Sequence, residues 1–457
     1  MTSEETKEGA KQREMGTRPV GRLLISFAMP SIIAMTATSL YNLMDSIFIG
    51  NGVGTYGLTG LTVTFPLMNL SAAFGAMVGV GAGSVVAVKL GQKDVRSAEY
   101  TLGNVVLLNV VISILFSVVA LLNLDRILIF FGASENSLPY AREYMEVLLY
   151  GNVLTHLYLG LNDVVRSSGY PQKAMLATLT SVIVNAGLDY LFIMKLGMGI
   201  RGAAVATLAA QLVAFCVVVY HLTRRTSYVR FRRGIFRWRP QIAKGILSIG
   251  CAPFFNNSCA CLVVLLINNG LKDYGGDYYI SAYGIVNRLA FIFVMITNGI
   301  NQGMQPISGY NFGAGQVGRS IRVFKFAAIG GVAVMTGCFM MAELFPRQVI
   351  AWFTDEASLV DIAEHAMMVT LMFAPLGGFQ IVSTGFMMSL GKAKQAIFLS
   401  TTRQMLFLVP GLIALPRYLG TDGVWYSLPL ADLAAGAAAI VVVMMQLGKL
   451  RKMEQKR

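Results

Sequence analysis

Long apolar stretches recur along the whole chain, separated by short polar connections. Each holds roughly 20 or more mostly apolar residues, enough for a helix to cross about 30 Å of hydrocarbon. A β-barrel would instead show short alternating segments. The pattern therefore predicts twelve membrane helices, called spans 1 to 12. They lie near residues 23–50, 57–88, 101–122, 144–165, 174–194, 202–222, 245–270, 278–310, 323–345, 364–390, 395–415 and 424–448.

Composition supports an all-α integral membrane protein. Of 457 residues, 55% are hydrophobic and only 13% are charged, which is too apolar for a soluble globular protein. The first 22 residues are polar, and the apolar run after them lacks a small-residue cleavage site. We therefore expect span 1 to be retained instead of being removed as a signal peptide.

Cysteine and histidine give no sign of a cofactor. The five cysteines lie within or at the ends of predicted spans, where a thiol is an ordinary packing group, and the three histidines have no ligand spacing. Clustered His, Ser or Glu residues that would indicate hydrolysis or metal chemistry are also missing from the sequence. We therefore expect no disulfide, no metal site, no cofactor and no enzymatic activity.

The net charge of +14 is distributed unevenly. Alternate loops are basic and the others are nearly bare, so the positive-inside bias predicts a multi-pass protein of the cytoplasmic (inner) membrane with both termini in the cytoplasm. The longest basic stretch, 223–244, lies between two apolar spans. We interpret it as a cytoplasmic connector resting on anionic lipid headgroups, and we expect no nucleic-acid partner. The basic loops carry Lys89, Lys93, Arg96, Arg166, Lys173, Arg319, Arg322, Lys325, Lys392 and Lys394.

The chain contains an internal repeat at a nearly constant offset of 222 residues, as in Gly169 and Gly391. Each half holds six spans, and an even number returns the chain to its starting side, so the halves form a parallel repeat. Such architectures work by rocking one half against the other, which favours transport. The further matched pairs are Gly81 and Gly303, Gly91 and Gly313, Glu135 and Glu356, Ser137 and Ser358, and Gly202 and Gly423.

The repeat predicts two lobes joined by the basic connector. The predicted parts are a cytoplasmic tail (1–22), a six-helix N-lobe (23–222), the connector (223–244), a six-helix C-lobe (245–448) and a second basic tail (449–457).

Carboxylates within the apolar spans are the strongest functional signal. An aspartate at a helix centre costs on the order of 2.5–3.5 kcal/mol on insertion scales, so it usually faces a polar interior. Asn185 and Asp189 share one face of span 5, and Tyr41 and Asp45 share one face of span 1. Counting from the outer ends predicts Asp45, Asp189, Asn185 and Thr207 of span 6 at one level.

Two carboxylates with an amide and a hydroxyl at one depth can exchange a proton or hold a cation. The competing interpretation is that these groups bond nearby backbone or cap a discontinuous helix. The equivalent second-half positions are Ile267 or Asn268, Gly411 and Leu428. Since the acidic pair has no copy there, we expect the two halves to differ in role.

At these residues the chain resembles the MATE family, the multidrug and toxic compound extrusion transporters. The resemblance covers all twelve spans and is strong because the motifs occur in the family's order. They are MPSIIAMTATSLYNLMDSIFIG in span 1, VRSSGYPQKAM after span 4, VNAGLDYLFI in span 5, RGAAVAT in span 6, and AYGIVNRLAFIF with QGMQPISGYNFGAG in span 8.

The resemblance implies two six-helix bundles in a V shape and cation-driven export of drugs, often organic cations. It implies N-lobe coupling by the set Asp45, Asn185, Asp189 and Thr207, and lining of a drug cavity by Tyr41 and Asn162. Some family members use a glutamate in span 7 and an aspartate in span 10, which this sequence lacks. We therefore expect a monomeric antiporter of cationic or amphipathic drugs, driven by protons more than sodium, although the same oxygens could coordinate sodium.

Two alternatives stay open. A flippase for a lipid-linked saccharide or peptidoglycan precursor belongs to the same superfamily, but its anionic cargo would favour a basic cavity. A membrane-embedded enzyme has no supporting constellation. Arg288 and Arg403 also lie within spans. Either could bind substrate or backbone carbonyls, and we expect structural roles because no acidic partner is evident.

Overall fold

The computed structural model describes residues 14–224, 227–354 and 356–455, which are helical apart from short connections. The helices of the first half are α1 (Val20–Gly52), α2 (Thr55–Gly91), α3 (Val95–Leu122), α4 (Leu124–Phe130), α5 (Leu138–Tyr150), α6 (Asn152–Ser167), α7 (Pro171–Asp189) with a π-helical continuation (Tyr190–Lys195), and α8 (Gly199–Thr223). Those of the second half are α9 (Pro240–Gly275), α10 (Asp277–Gly313), α11 (Val317–Leu344), α12 (Pro346–Ile350), α13 (Ala357–Leu371), α14 (Ala374–Ser389), α15 (Ala393–Thr401) with a π-helical continuation (Thr402–Leu408), α16 (Val409–Ala414), α17 (Pro416–Leu419) and α18 (Thr421–Gln455).

All twelve predicted spans are helical. Within the described residues, ten helical segments are individually long and apolar enough to cross a membrane, and the bent pair α13 and α14 supplies an eleventh. Span 4 is formed by α5 and α6. Large apolar side chains such as Leu115 and Leu122 are exposed, as expected for helices that face lipid. The predicted all-α membrane fold is confirmed.

Two spans predicted as continuous are broken. Span 4 is interrupted at Gly151, where a Cβ would overlap the side chain of Leu208 on α8. Span 10 bends by 47° between α13 and α14. Pro375 lies in the first turn of α14, and its missing N–H and bulky ring prevent an uninterrupted hydrogen-bond ladder across the bend.

Spans 5 and 11, which are equivalent in the repeat, each contain a π-helical segment. The first begins directly after Asp189, and the second includes Arg403 and Gln404 and ends just before Pro410. The wider π turn is rare and often occurs at functional sites. Both segments therefore mark positions where irregular backbone is maintained within a membrane helix.

Equivalent helices confirm the internal repeat by their length. Helices α2 and α10 both have 37 residues, and α3 and α11 both have 28. The long pair is preceded by Gly54 and Gly276, with φ of +94° and +81°. Glycine suits both positions because other residues rarely adopt this left-handed backbone.

Contacts divide the chain into two compact units. The first contains Ile33–Phe254, and the second contains Arg18–Ile32 and the described part of Phe255–Arg457. The start of α1 therefore belongs to the second unit and the start of α9 to the first. The predicted lobes, 23–222 and 245–448, differ from the units at these two helix starts.

Close helix crossings explain why the start of α1 belongs to the second unit and the start of α9 to the first. In the first unit, a Cβ at Gly250 of α9 would overlap the backbone of Met77 on α2. The same crossing recurs in the second unit, where a Cβ at Gly303 of α10 would lie 2.6 Å from the Ala28 nitrogen on α1. Only glycine lets these backbones approach so closely.

The described part of the basic connector is fixed to α3. Asn104 donates to the Arg237 carbonyl at 3.2 Å and accepts from the Arg239 N–H at 3.1 Å. Arg232 forms an ion pair with the largely buried Glu99 at 2.9 Å. Several connector residues therefore contact α3 of the same chain. The predicted contact of the connector with lipid headgroups stays a prediction.

Candidate functional site

Asp45 lies within the first unit, about two turns before the C-terminal end of α1. It is 5% exposed, although the neighbouring Leu43 and Ile47 are 58% and 50% exposed. Its Oδ2 accepts from the Tyr144 hydroxyl at 3.4 Å, while its Oδ1 is buried without a hydrogen-bond partner. Asp45 therefore faces the protein interior, while its apolar neighbours on α1 face outward, as expected for residues that contact lipid.

Asp189 is the last residue of α7, at the junction with the π-helical segment. It is 0% exposed, and both of its carboxylate oxygens are buried without a hydrogen-bond partner. An unpartnered buried polar group costs about 1–3 kcal/mol, and more when it is charged. This carboxylate is therefore maintained in the fold at a cost to stability, which points to a role for it.

A hydroxyl bridge connects α1, α7 and α8 beside the carboxylates. The Tyr41 and Thr207 hydroxyls are 3.0 Å apart, and the Asn185 amide donates to the Thr207 hydroxyl at 3.5 Å. The Asn185 carbonyl oxygen is itself buried and unpartnered. The structure thus brings Tyr41, Asn185 and Thr207 into one contact group.

The two carboxylates lie close enough for their charges to act on each other and on Tyr41. Among the residues that the structure describes, neither carboxylate forms an ion pair with a basic side chain. Two buried carboxylates with no cationic partner cannot both ionise cheaply. The arrangement can hold a proton or a small cation between its oxygens.

The donor set decides which ions are compatible. The site offers carboxylate, amide and hydroxyl oxygens, which suit hard cations such as sodium. Over the described ranges no group of three or more His, Cys, Asp or Glu residues is placed to hold a metal ion. Oxygen donors of this kind can exchange a proton or bind an alkali cation.

Asn162 lies apart from this contact group. Its amide donates to the Thr178 hydroxyl at 3.3 Å, and its carbonyl oxygen is buried without a partner. The Tyr158 hydroxyl bonds the same threonine at 3.3 Å. The structure therefore joins Asn162 to α7 but not to the carboxylates, and its predicted place in the drug cavity stays a prediction.

Two features of the sites were missed from the sequence. Tyr144 is fully buried in the core of the first unit and donates its hydroxyl to Asp45, but a tyrosine 99 residues further along gives no local signal. The expectation that Arg403 lacks an acidic partner is wrong. Its Nε donates to Asp432, which lies 29 residues away on α18 and is 7% exposed.

The fold and the site together define a class. Two matched helical halves in a membrane, with a buried acidic site in one of them, are typical of secondary transporters. The chain belongs to the MatE family, whose sequence model matches residues 30–191 and again residues 253–413. The double match follows the repeat, and it confirms a membrane transporter in place of an enzyme.

Relatives of similar length support this assignment. Multidrug export protein MepA of Staphylococcus haemolyticus is 24% identical over 422 residues, covering 92% of this chain and 93% of that protein. The protein of the same name from Staphylococcus aureus is 24% identical over 425 residues, covering 93% and 94%.

Solved structures show the same fold. An outward-facing multidrug resistance MATE family transporter of the MOP superfamily matches with a TM-score of 0.88 at 24% identity, covering 95% of this chain and 97% of that one. A MATE transporter in the bent conformation matches with a TM-score of 0.90 at 23% identity, covering 97% and 98%. These likenesses extend over nearly the whole chain.

Proposed function

We propose that the protein is a multidrug exporter that exchanges protons for cationic or amphipathic drugs. The observation that carries this is the pair Asp45 and Asp189, buried in one unit and without a basic partner among the described residues. The multidrug export function named for the MepA relatives supports export of drugs.

The coupling follows from charge. When the carboxylate pair carries a net negative charge, the site attracts a drug cation. Protonation from outside neutralises the pair, so the attraction is lost and the drug is released. The hydroxyl bridge between Tyr41, Thr207 and Asn185 joins α1, α7 and α8 beside the carboxylates, and we propose that protonation changes the packing of these three helices.

Protons fit the cycle better than sodium. A proton on Asp189 would satisfy one of its two unpartnered oxygens without needing any other ligand. The span 7 and span 10 acids of the other coupling type are also missing from this sequence. We therefore propose no cofactor and a proton gradient as the driving force.

A flippase is the second candidate function. The molecule that is transported distinguishes a flippase from a drug exporter. Cells that express the protein are expected to lose a permeant cationic dye faster than cells without it. The same membranes should not increase the transfer of a labelled lipid-linked saccharide. Lipid transfer without dye export would contradict the proposal.

We also propose that both termini and the basic connector are cytoplasmic, because they fall on the side of the basic loops and the positive-inside rule assigns such loops to the cytoplasm. In a variant whose five cysteines are replaced, a new cysteine at the exposed Arg233 should resist a membrane-impermeant thiol reagent in intact cells. A cysteine at the exposed Asp273, in the last turn of α9 at its opposite end, should be labelled. The reverse pattern would overturn this orientation.

A further inference from the structure

The second unit contains a cavity of about 340 Å³ that the carboxylate site does not use. It lies between α9, α10, α14, the second π-helical segment and α18. Pockets that hold drug-sized ligands begin at roughly 300 Å³ and are mainly apolar with a few polar groups. This cavity has that character, since Val263, Ile267 and Val286 contribute apolar walls.

The only ion pair lining the cavity, within the described residues, is Arg403 with Asp432. The Arg403 side chain is 33% exposed and the Asp432 side chain is 7% exposed. The aspartate accepts from the Arg403 Nε, which leaves the guanidinium as the accessible charge. The positive charge of Arg403 is therefore accessible from the cavity, while its counter-ion Asp432 is more deeply buried.

Further polar groups adjoin the guanidinium. Gln404 donates to the Asn256 oxygen at 3.3 Å, and its own side-chain oxygen is buried without a partner. Tyr283 also lines the cavity and interacts electrostatically with Arg403. Arg403 and Gln404 both belong to the π-helical segment, where a widened turn directs successive side chains differently from an α-helix.

The first half of the repeat lacks this charged arrangement. The equivalents of Arg403, Asp432 and Gly377 are Ser181, Gln211 and Thr155, by the offsets of 222 and 221. In the first half the Thr155 hydroxyl bonds Gln211 at 2.5 Å. In the second half Gly377 has no side chain to fill the corresponding space, and it lines the cavity instead.

A purely structural role explains the Arg403–Asp432 ion pair poorly. Burying an ion pair often brings no net stability over a neutral or apolar pair, and the other half folds with the uncharged Ser181 and Gln211 at these positions. In the second half the charge and the space occur at the same place. Their coincidence therefore favours a ligand that uses both.

We propose that this cavity binds an amphipathic carboxylate, with its carboxylate on the Arg403 guanidinium and its apolar part against the α9 and α10 walls. The terminal guanidinium nitrogens can donate two parallel hydrogen bonds to a carboxylate, a geometry that an ammonium ion cannot reproduce. Asp432 competes for the same guanidinium. The ligand therefore binds most tightly when this aspartate is neutralised.

The test measures equilibrium binding of labelled naphthalene-2-carboxylate, its uncharged amide and naphthylmethylammonium to the purified full chain. The carboxylate should bind at least about tenfold more tightly than the amide, as expected for a charge-assisted contact. Arg403→Gln combined with Asp432→Asn keeps a neutral hydrogen-bonding pair. This double variant should remove the preference for the carboxylate and leave amide binding unchanged.

Asp432→Asn alone separates a binding role from a structural one. Freed from its competitor, Arg403 should bind the carboxylate several-fold more tightly than in the unmodified protein, whereas a merely structural pair predicts weaker or equal binding. Asp189→Asn in the other unit should leave carboxylate binding unchanged, so the result is independent of the proton-coupled export. Equal binding of carboxylate and amide, or tightest binding of the ammonium probe with its loss in Asp432→Asn, would overturn the proposal.

Discussion

Cells expressing Asp189→Asn are expected to be as drug-sensitive as cells without the transporter. Asparagine keeps the size of the side chain and can hydrogen-bond, but it cannot exchange a proton. Both oxygens of Asp189 are buried and unpartnered, so the substitution removes no existing hydrogen bond. Export should therefore fail while membrane insertion and thermal stability stay close to those of the unmodified protein.

Two further variants sharpen this prediction. Asp45→Asn should also abolish export, with a moderate change in stability because it alters the bond from Tyr144. Asp273→Asn, at an exposed position in the last turn of α9, is the matched control and should leave resistance unchanged. Full resistance in cells with normal amounts of Asp189→Asn protein would remove this residue from the mechanism.

Gly250→Ala is expected to destabilise the first unit severely. The added Cβ would overlap the backbone of Met77, and backbone cannot rotate away as a side chain can. Overpacking of this kind costs about 1–3 kcal/mol or more, and separating α2 from α9 would disturb further contacts. We expect a lower yield of monodisperse protein and a lower melting temperature in detergent.

Gly245→Ala on the same helix provides the control. Its Cβ would lie 3.8 Å from a Val85 methyl group, an ordinary contact. Alanine also favours helix over glycine by about 1 kcal/mol, so this variant should be neutral or slightly stabilising. Equal stability of the two variants would contradict the close crossing of α2 and α9.

The sequence was informative wherever one strong physical rule applied. Apolar length alone located all twelve spans, because a bilayer core has a fixed thickness and spanning backbone must be hydrogen-bonded within its own helix. The offset of 222 residues predicted two equivalent halves, and the matched lengths of α2 and α10 confirm it. The insertion cost of an aspartate directed attention to Asp45 and Asp189.

The remaining features depend on tertiary contacts that no local pattern contains. The break at Gly151 depends on Leu208 from another helix, and the partner of Arg403 lies on the following span. The π-helical segments after Asp189 and around Arg403 also have no periodic signature in an apolar run. The exchange of helix starts between the units follows from backbone crossings at glycines, which a repeat alone does not predict.

The most direct test of proton coupling uses purified protein in liposomes, with a pH gradient and a sodium gradient imposed separately. The account predicts that the pH gradient alone drives movement of a cationic drug, and that Asp189→Asn abolishes this movement. Drug movement driven by sodium alone, at matched pH and voltage and insensitive to a protonophore, would contradict it.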